Sequence, residues 1–147
     1  MRKVEAAIQI NSNADNVLPA FTDANHLREW WEVERCFIDL KENGNYTLAW
    51  NISENGFKYI FTGIIKKYKP EKILHIANIL YLNPERPILG PFELLIELTS
   101  ISNGTIFYLK QWPYPGNMGE DMDWYYESVK NAWPIVLKTV KNYIEKK

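Results

Sequence analysis

Between Asp121 and Lys147, Met122, Tyr125, Tyr126, Val129, Trp133, Val136, Leu137, Val140, Tyr143 and Ile144 recur at three- and four-residue steps. That spacing draws one broad apolar stripe on a helix of period 3.6. A stripe of that width cannot stay in water. Because the rest of the chain reads as short strands, the helix has to bury it on a sheet. Glu120, Asp121 and Asp123 at its start, and Lys138, Lys141, Lys146 and Lys147 toward its end, complement the helix dipole. Pro134 lacks the N–H that would bond the carbonyl of Lys130, which predicts a bend across 130–134.

Upstream, Val4, Ala6, Ile8 and Ile10 alternate with Lys3, Glu5, Ala7 and Gln9, the pattern of a half-buried strand. Asn11, Ser12, Asn13 and Asp15 offer helix N-caps ahead of Val17, Leu18 and Phe21, with Pro19 tolerable only in the first turn. Asp23 can cap a second short helix carrying Leu27, Trp30 and Trp31. From Cys36 onward the punctuation is that of an antiparallel meander. Strands are expected over 36–41, 45–52, 57–68, 73–81, 92–100 and 105–112. The turns between them are Glu42-Asn43-Gly44, Ser53-Glu54-Asn55-Gly56, Lys69-Pro70-Glu71-Lys72, the irregular stretch 83–91, and Asn103-Gly104. The sum is an α+β chain: seven strands in one strongly curved antiparallel sheet, two short helices between the first and second strands, and a long final helix.

Alternation assigns Phe92, Leu94, Ile96 and Leu98 to the inner face, with Glu93, Glu97 and Thr99 outside. In the preceding strand Ile73, His75, Ala77, Ile79 and Tyr81 oppose Leu74, Ile76, Asn78 and Leu80, and both sets are largely apolar. Periodicity leaves that strand's inner face open and puts His75 and Asn78 on opposite faces. At 147 residues, without a repeat, low-complexity run or linker, the expectation is a single domain over 1–147.

Seventeen Lys and Arg against eighteen Asp and Glu give a net charge of -1, without the basic footprint that phosphate-backbone binding needs. Nucleic acid is not the expected partner. A lone cysteine, Cys36, excludes an intramolecular disulfide framework and multi-cysteine metal sites. The start of the chain alternates apolar and polar residues and forms no apolar signal core. No run approaches ~18 consecutive apolar residues, so no membrane span is expected and the cytoplasm is the default setting.

Catalytic candidates are sparse. His26, His75, Cys36 and scattered carboxylates lack metal-ligand spacing such as His-x3-His or Cys-x2-Cys, so no metal and no cofactor are expected. Cys36 has no sequence-local base and reads as a small packed hydrophobe. Glu93 and Glu97, four residues apart on one strand face, could in principle pair as acid and base and equally mark a solvated sheet face. The seven glycines fall nearly all at turns and form no phosphate loop. What stands out is the aromatic load: six Trp, nine Tyr and six Phe, enough to build a thick core or wall a pocket.

A resemblance spans nearly the whole chain. It rests on Ile10-x6-Val17-x3-Phe21-Thr22-Asp23, Leu27-x2-Trp30-Trp31, Gly44-x-Tyr46-Thr47-Leu48 and Gly63-x-Ile65. Tyr68-Lys69-Pro70-Glu71-Lys72-Ile73, Asn103-Gly104-Thr105 and Trp133-x3-Leu137-x2-Val140-Lys141 complete it. In that order the pieces resemble the START-like, or birch-pollen-allergen-like, helix-grip superfamily. They are most similar to the activators of the heat-shock-protein-90 ATPase and their bacterial homologues. The chain departs from the pattern at Ala132-Trp133, where Gly-Trp is common, at Pro134, and in the Pro-rich stretch 84–91.

The resemblance implies a curved sheet gripping the last helix with a cavity between them, and generally a small hydrophobic ligand, although the fold also hosts cyclases and hydrolases. The expectation here is a lipid-like or polycyclic ligand bound without catalysis. Trp30 and Trp31 would then lie near one end of the cavity, where the ligand enters. Trp50, Tyr59, His75, Tyr81, Trp112, Tyr114 and Trp124 would supply walls with a few polar groups, and Trp133 would anchor the helix as a lid. Two alternatives stand beside this. One is a protein-interaction module, with a second copy of the chain or a chaperone as partner through loops such as Trp112-Pro113-Tyr114-Pro115. The other is a cavity-based hydrolase or cyclase with His75 as its acid–base group.

Overall fold

The structure is a computed structural model that describes residues 3–54, 56–86, 88–113 and 120–146. Seven strands form one antiparallel sheet: β1 (Val4–Ile10), β2 (Arg35–Ile38), β3 (Asn45–Ser53), β4 (Gly56–Lys69), β5 (Ile73–Leu82), β6 (Leu89–Ile101) and β7 (Gly104–Pro113). Their order is β1-β7-β6-β5-β4-β3-β2. Sequence neighbours are therefore sheet neighbours except at one step, where the chain leaves β1 on one edge and starts β2 on the other. The helices α1 (Pro19–Thr22) and α2 (Ala24–Trp31) make that crossing, and α3 (Glu120–Glu145) lies on the inner face of the sheet.

The helical stripe meets its sheet as the spacing predicts. Tyr125, Trp133, Leu137, Val140 and Ile144 of α3 are buried in one cluster with Val4 and Ile10 of β1, Phe107 and Leu109 of β7, and the inner residues of β6. Those inner residues are Phe92, Leu94, Ile96 and Leu98, while Glu97 and Thr99 are exposed, so alternation assigned that strand correctly. The far end of α3 is fastened to β1: Lys141 Nζ donates to the Gln9 carbonyl and to Glu145 Oε2, both at 2.6 Å, and the Asn11 N–H donates to Glu145 Oε2 at 2.7 Å. The Asn11 N–H and then the Lys141 ammonium hold the Glu145 carboxyl below its usual range. The last turn of α3 carries no basic residue, because the helix ends at Glu145 and Lys146 follows it. Lys147 lies outside the described residues.

Asp23 caps α2 as expected, its Oδ1 accepting from the Asn25 N–H at 2.8 Å and the His26 N–H at 3.4 Å. Pro19 occupies the first turn of α1, where its missing N–H costs nothing. The cap expected among 11–15 does not form. Asn13 precedes only a single 3-10 turn, Ala14–Asn16, and makes no side-chain cap bond. Tyr143 Oη donates to Glu29 at 2.7 Å and, its one hydrogen so placed, accepts from His26 Nδ1 at 2.7 Å, which ties α2 to α3.

Two strand ends and one strand interior depart most from the sequence reading, each because backbone hydrogen bonds take another route. β2 stops at Ile38, since Lys41 N bonds Asp39 O and Asn43 N bonds Ile65 O, making Glu42-Asn43-Gly44 the tip of a wider loop. β6 starts at Leu89, three residues early. Leu89–Phe92 opposes Ile79–Tyr81 across a register shift, and a bulge of this kind is where a strand tolerates a proline such as Pro91. The third difference sits inside β5. Another register shift between Ile76 and Ile79, with Asn78 at φ 52°, inserts an extra residue there. Leu74 and Ile76 point inward, and after the bulge so does Ile79, while Asn78 is exposed and His75 is on the outer face. The extra residue breaks the alternation, so His75 and Asn78 are not on opposite faces as period 2 implied.

Candidate functional site

A cavity of about 340 Å³, open on one side, lies between the sheet and α3. Trp31 of α2 and Trp50 of β3 wall one end, and Tyr59 and Phe61 of β4 with Tyr81 of β5 form its sheet side. From α3 come Trp124, Tyr125, Ser128, Val129, Ala132, Trp133 and Val136.

Adjacent residues on a helix diverge by about 100°, which separates the two tryptophans that end α2. Trp30 turns into the core, where its Nε1 donates to the Ala20 carbonyl at 2.7 Å. Trp31 faces the cavity, braced by Trp30 stacked on it at 4.8 Å between centroids and 11° between planes. Trp50 Nε1 donates to the Trp31 carbonyl at 3.0 Å, and its ring meets Trp31 edge-on at 5.3 Å. Trp133 Nε1 donates to Gln111 Oε1 at 2.8 Å. Protein partners thus hold the N–H groups of Trp50 and Trp133, leaving aromatic surface for the cavity. Trp124 is covered by the Arg86 guanidinium, 4.4 Å from its ring centroid.

No Asp, Glu, Lys, Arg or His is among the described lining residues. Among the described lining residues, Tyr59, Tyr81, Tyr125 and Ser128 carry hydroxyls. Burial, with the neighbouring Tyr59 adding to it, pushes the Tyr81 phenol up to about 12, and burial pushes Tyr125 up as well. Among the described residues the cavity lining is therefore apolar and uncharged at neutral pH, with neutral hydroxyls as its polar groups.

Of the ten residues singled out from the sequence, Trp31, Trp50, Tyr59, Tyr81, Trp124 and Trp133 line this cavity, and Trp30 backs it. His75 and Trp112 do not reach it. His75 Nε2 meets Glu93 Oε1 at 2.8 Å on the opposite face of the sheet, with Lys66 Nζ 3.7 Å from the same oxygen. Trp112, 5.7 Å from the His75 ring, lies under the Lys110 ammonium at 4.9 Å. The β5 bulge is the cause for His75; for Trp112 it is the alternation of β7, whose inward neighbour is the buried Gln111. Tyr114 lies outside the described residues.

Several lining residues escaped the sequence reading. Tyr125, Val129 and Val136 belong to the helical stripe, whose spacing marks a residue as facing the sheet without separating core from cavity wall. Ser128 and Ala132 sit at four-residue steps between Trp124 and Val136, a ridge that helical geometry could have exposed. Phe61 carried no signal separating it from core. Cys36 is half-buried, and burial raises its thiol, in keeping with packing. Among the described residues no three His, Cys, Asp or Glu side chains group to hold a metal ion.

The family model described as Activator of Hsp90 ATPase homolog 1-like protein matches residues 11–145. No curated protein matches the chain. Among solved structures, DynU16, a protein in the dynemicin biosynthetic locus, has a TM-score of 0.74 at 16% identity, over 99% of this chain and 48% of DynU16. The chain thus spans about half the length of that protein. NE0264 from Nitrosomonas europaea has a TM-score of 0.75 at 16% identity, over 98% of this chain and 94% of its own. The Aha1 dimer from Colwellia psychrerythraea has a TM-score of 0.69 at 17% identity, over 99% and 97%. At these identities the likeness is one of fold: a helix-grip sheet around a long final helix.

Proposed function

Since the chain belongs to the Activator of Hsp90 ATPase homolog 1-like family, we propose that it binds a small hydrophobic ligand between sheet and α3 and does not transform it. The observation that carries this reading is the aromatic cavity of about 340 Å³. Its size falls within the ~300–1,000 Å³ of small-molecule sites, and its mix of apolar wall and few polar atoms is theirs too. The indole N–H groups of Trp50 and Trp133 are spent on protein carbonyl oxygens, so these rings offer a dry wall that an apolar guest can cover. A hydrolase or cyclase reading lacks its acid–base group here, because His75 is on the other side of the sheet. DynU16, with the same fold in a biosynthetic locus, agrees with a cavity for a small organic molecule.

Tryptophan fluorescence titrated with neutral polycycles, sterols and fatty acids tests the reading, because Trp31, Trp50, Trp124 and Trp133 all report on the cavity. A saturable change is expected. Native mass spectrometry of protein purified from its own source, showing a co-purified small molecule, would identify the guest. Flat titrations together with a bare protein mass would end the proposal. The reading sets the protein in the cytoplasm, which imaging of a tagged chain checks; among the described residues no helix is long and apolar enough to cross a membrane.

A second reading, self-association, is favoured by β2. This four-residue strand closes one edge of the sheet, pairs only with β3, and leaves Phe37 66% exposed. Unpaired edges template further pairing, and the Colwellia Aha1 structure is a dimer. Light scattering across a concentration series, with Phe37→Lys as the comparison, decides it.

A further inference from the structure

The buried Gln111 sets the direction of a hydrogen-bond chain that ends at Tyr125, a residue lining the cavity. Its side-chain amide lies between two residues of α3: Oε1 is 2.8 Å from Trp133 Nε1, and Nε2 is 3.2 Å from Tyr125 Oη. All three residues are at most 8% exposed, so the pattern is not softened by water. An amide can ordinarily be turned over without visible consequence, but here it cannot. An indole N–H only donates, so the atom facing Trp133 has to be the amide oxygen. The amide nitrogen then faces Tyr125, and since it only donates, the phenol oxygen has to accept. The Tyr125 hydrogen is thereby directed away from Gln111. Among the described residues no acceptor receives it, and Tyr125 lines the cavity.

We infer that Tyr125 is a specificity-determining donor, and that the guest of the cavity is a neutral, planar polycycle carrying a carbonyl oxygen that accepts from its hydroxyl. This rests on the ligand-binding reading above and narrows it. Tyr59, Tyr81 and Ser128 also present hydroxyls, yet no described partner orients them, so each can donate or accept. Only Tyr125 is committed to donate. A carboxylate guest, such as a fatty acid, is disfavoured because no described lining residue carries a charge to neutralise it. Flat aromatic walls such as Trp31, and the parallel Tyr59 and Tyr81 rings at 3°, suit a rigid ring system better than a flexible chain.

The test compares 9-fluorenone with fluorene, which share a tricyclic skeleton and differ in a carbonyl against a methylene. Apolar area alone favours fluorene, whose methylene is the less hydrated group. Equilibrium dialysis on the wild-type chain is expected to show 9-fluorenone binding about tenfold tighter or more, since a buried donor left unpaired penalises the other guest. In the infrared, the carbonyl stretch of bound 9-fluorenone should move to lower wavenumber. Tyr125→Phe should weaken 9-fluorenone, tighten fluorene by removing the donor it leaves unpaired, so that the ketone loses its advantage, and remove the infrared shift. If Tyr125→Phe does not fold, the two guests on the wild-type chain still decide. Equal affinities, or fluorene the tighter, overturn the donor assignment while the cavity reading stands. Binding of neither guest while a fatty acid or a sterol saturates overturns this inference and leaves the cavity reading; flat titrations with all of them and a bare protein mass remove both.

Discussion

A phenol in an apolar wall keeps its proton longer than one in water, and this gives the cavity a pH signature. Tyr81 is pushed up to about 12 by burial, with Tyr59 adding to it, and burial raises Tyr46 and Tyr125 also. In the unfolded chain each would ionise near its ordinary value of 10. Above that pH the unfolded state holds fewer protons than the folded one, so stability falls as pH rises. Stability should be independent of these groups below pH 10 and decline as pH climbs toward 12, with a shallower decline in Tyr81→Phe. Melting temperature against pH measures both. At this scale much of the site was legible: aromatic residues in quantity pointed to a walled cavity, and six of the ten chosen residues line one. Trp30 and Trp31 were inseparable in the sequence, because which of two adjacent rings faces the core depends on the azimuth of a helix against elements far away in the chain.

Elements add constraints that no single residue carries. The β5 bulge lies against Gly63, where a Cβ would come within 2.7 Å of Ile76 Cγ2 and 2.8 Å of Ile79 Cγ1. Gly63→Ala should therefore destabilise the protein by about 1–3 kcal/mol through overpacking, measured by urea unfolding. The opposite sign is expected on α3. Pro134 and Lys130 are both exposed, so the carbonyl that proline leaves without its helical partner faces water. Pro134→Ala restores the N–H and removes a helix-interior penalty of about 3 kcal/mol, offset by about 1 kcal/mol of unfolded-chain entropy. A net gain of about 1–2 kcal/mol should follow. If Pro134 bends the helix over the cavity, fluorescence titration with 9-fluorenone should change as well; unchanged uptake would make the proline a matter of scaffold alone. The stripe itself, the strand count and the turn positions were legible because each is written in residues a few positions apart. The bulge was not, since the extra residue in β5 shows only against the register of β4 and β6.

For the whole molecule, α3 and six of the seven strands share one buried cluster, with Cys36 and Ile38 of β2 packed against it, so we expect residues 1–147 to unfold as a single cooperative unit. Calorimetric and van't Hoff enthalpies should coincide. A guest that binds only the folded chain should raise the melting temperature by mass action, worth about 2.7 kcal/mol at a hundred times its Kd, and thermal scans with and without 9-fluorenone would show it. The sequence by itself determined that a long amphipathic helix must lie on a seven-stranded antiparallel meander, that Asp23 starts a helix, and that aromatic residues are numerous enough to wall a cavity. These follow from periodicity, capping and composition, which act locally. Tertiary structure alone decided that His75 lies across the sheet from the cavity, that a cavity persists between the aromatics, and that Gln111 turns the Tyr125 proton away from itself. Each of these depends on atoms brought together from distant positions: inter-strand register for His75, the seating of α3 for the cavity, and the meeting of residues 111, 125 and 133 for the proton.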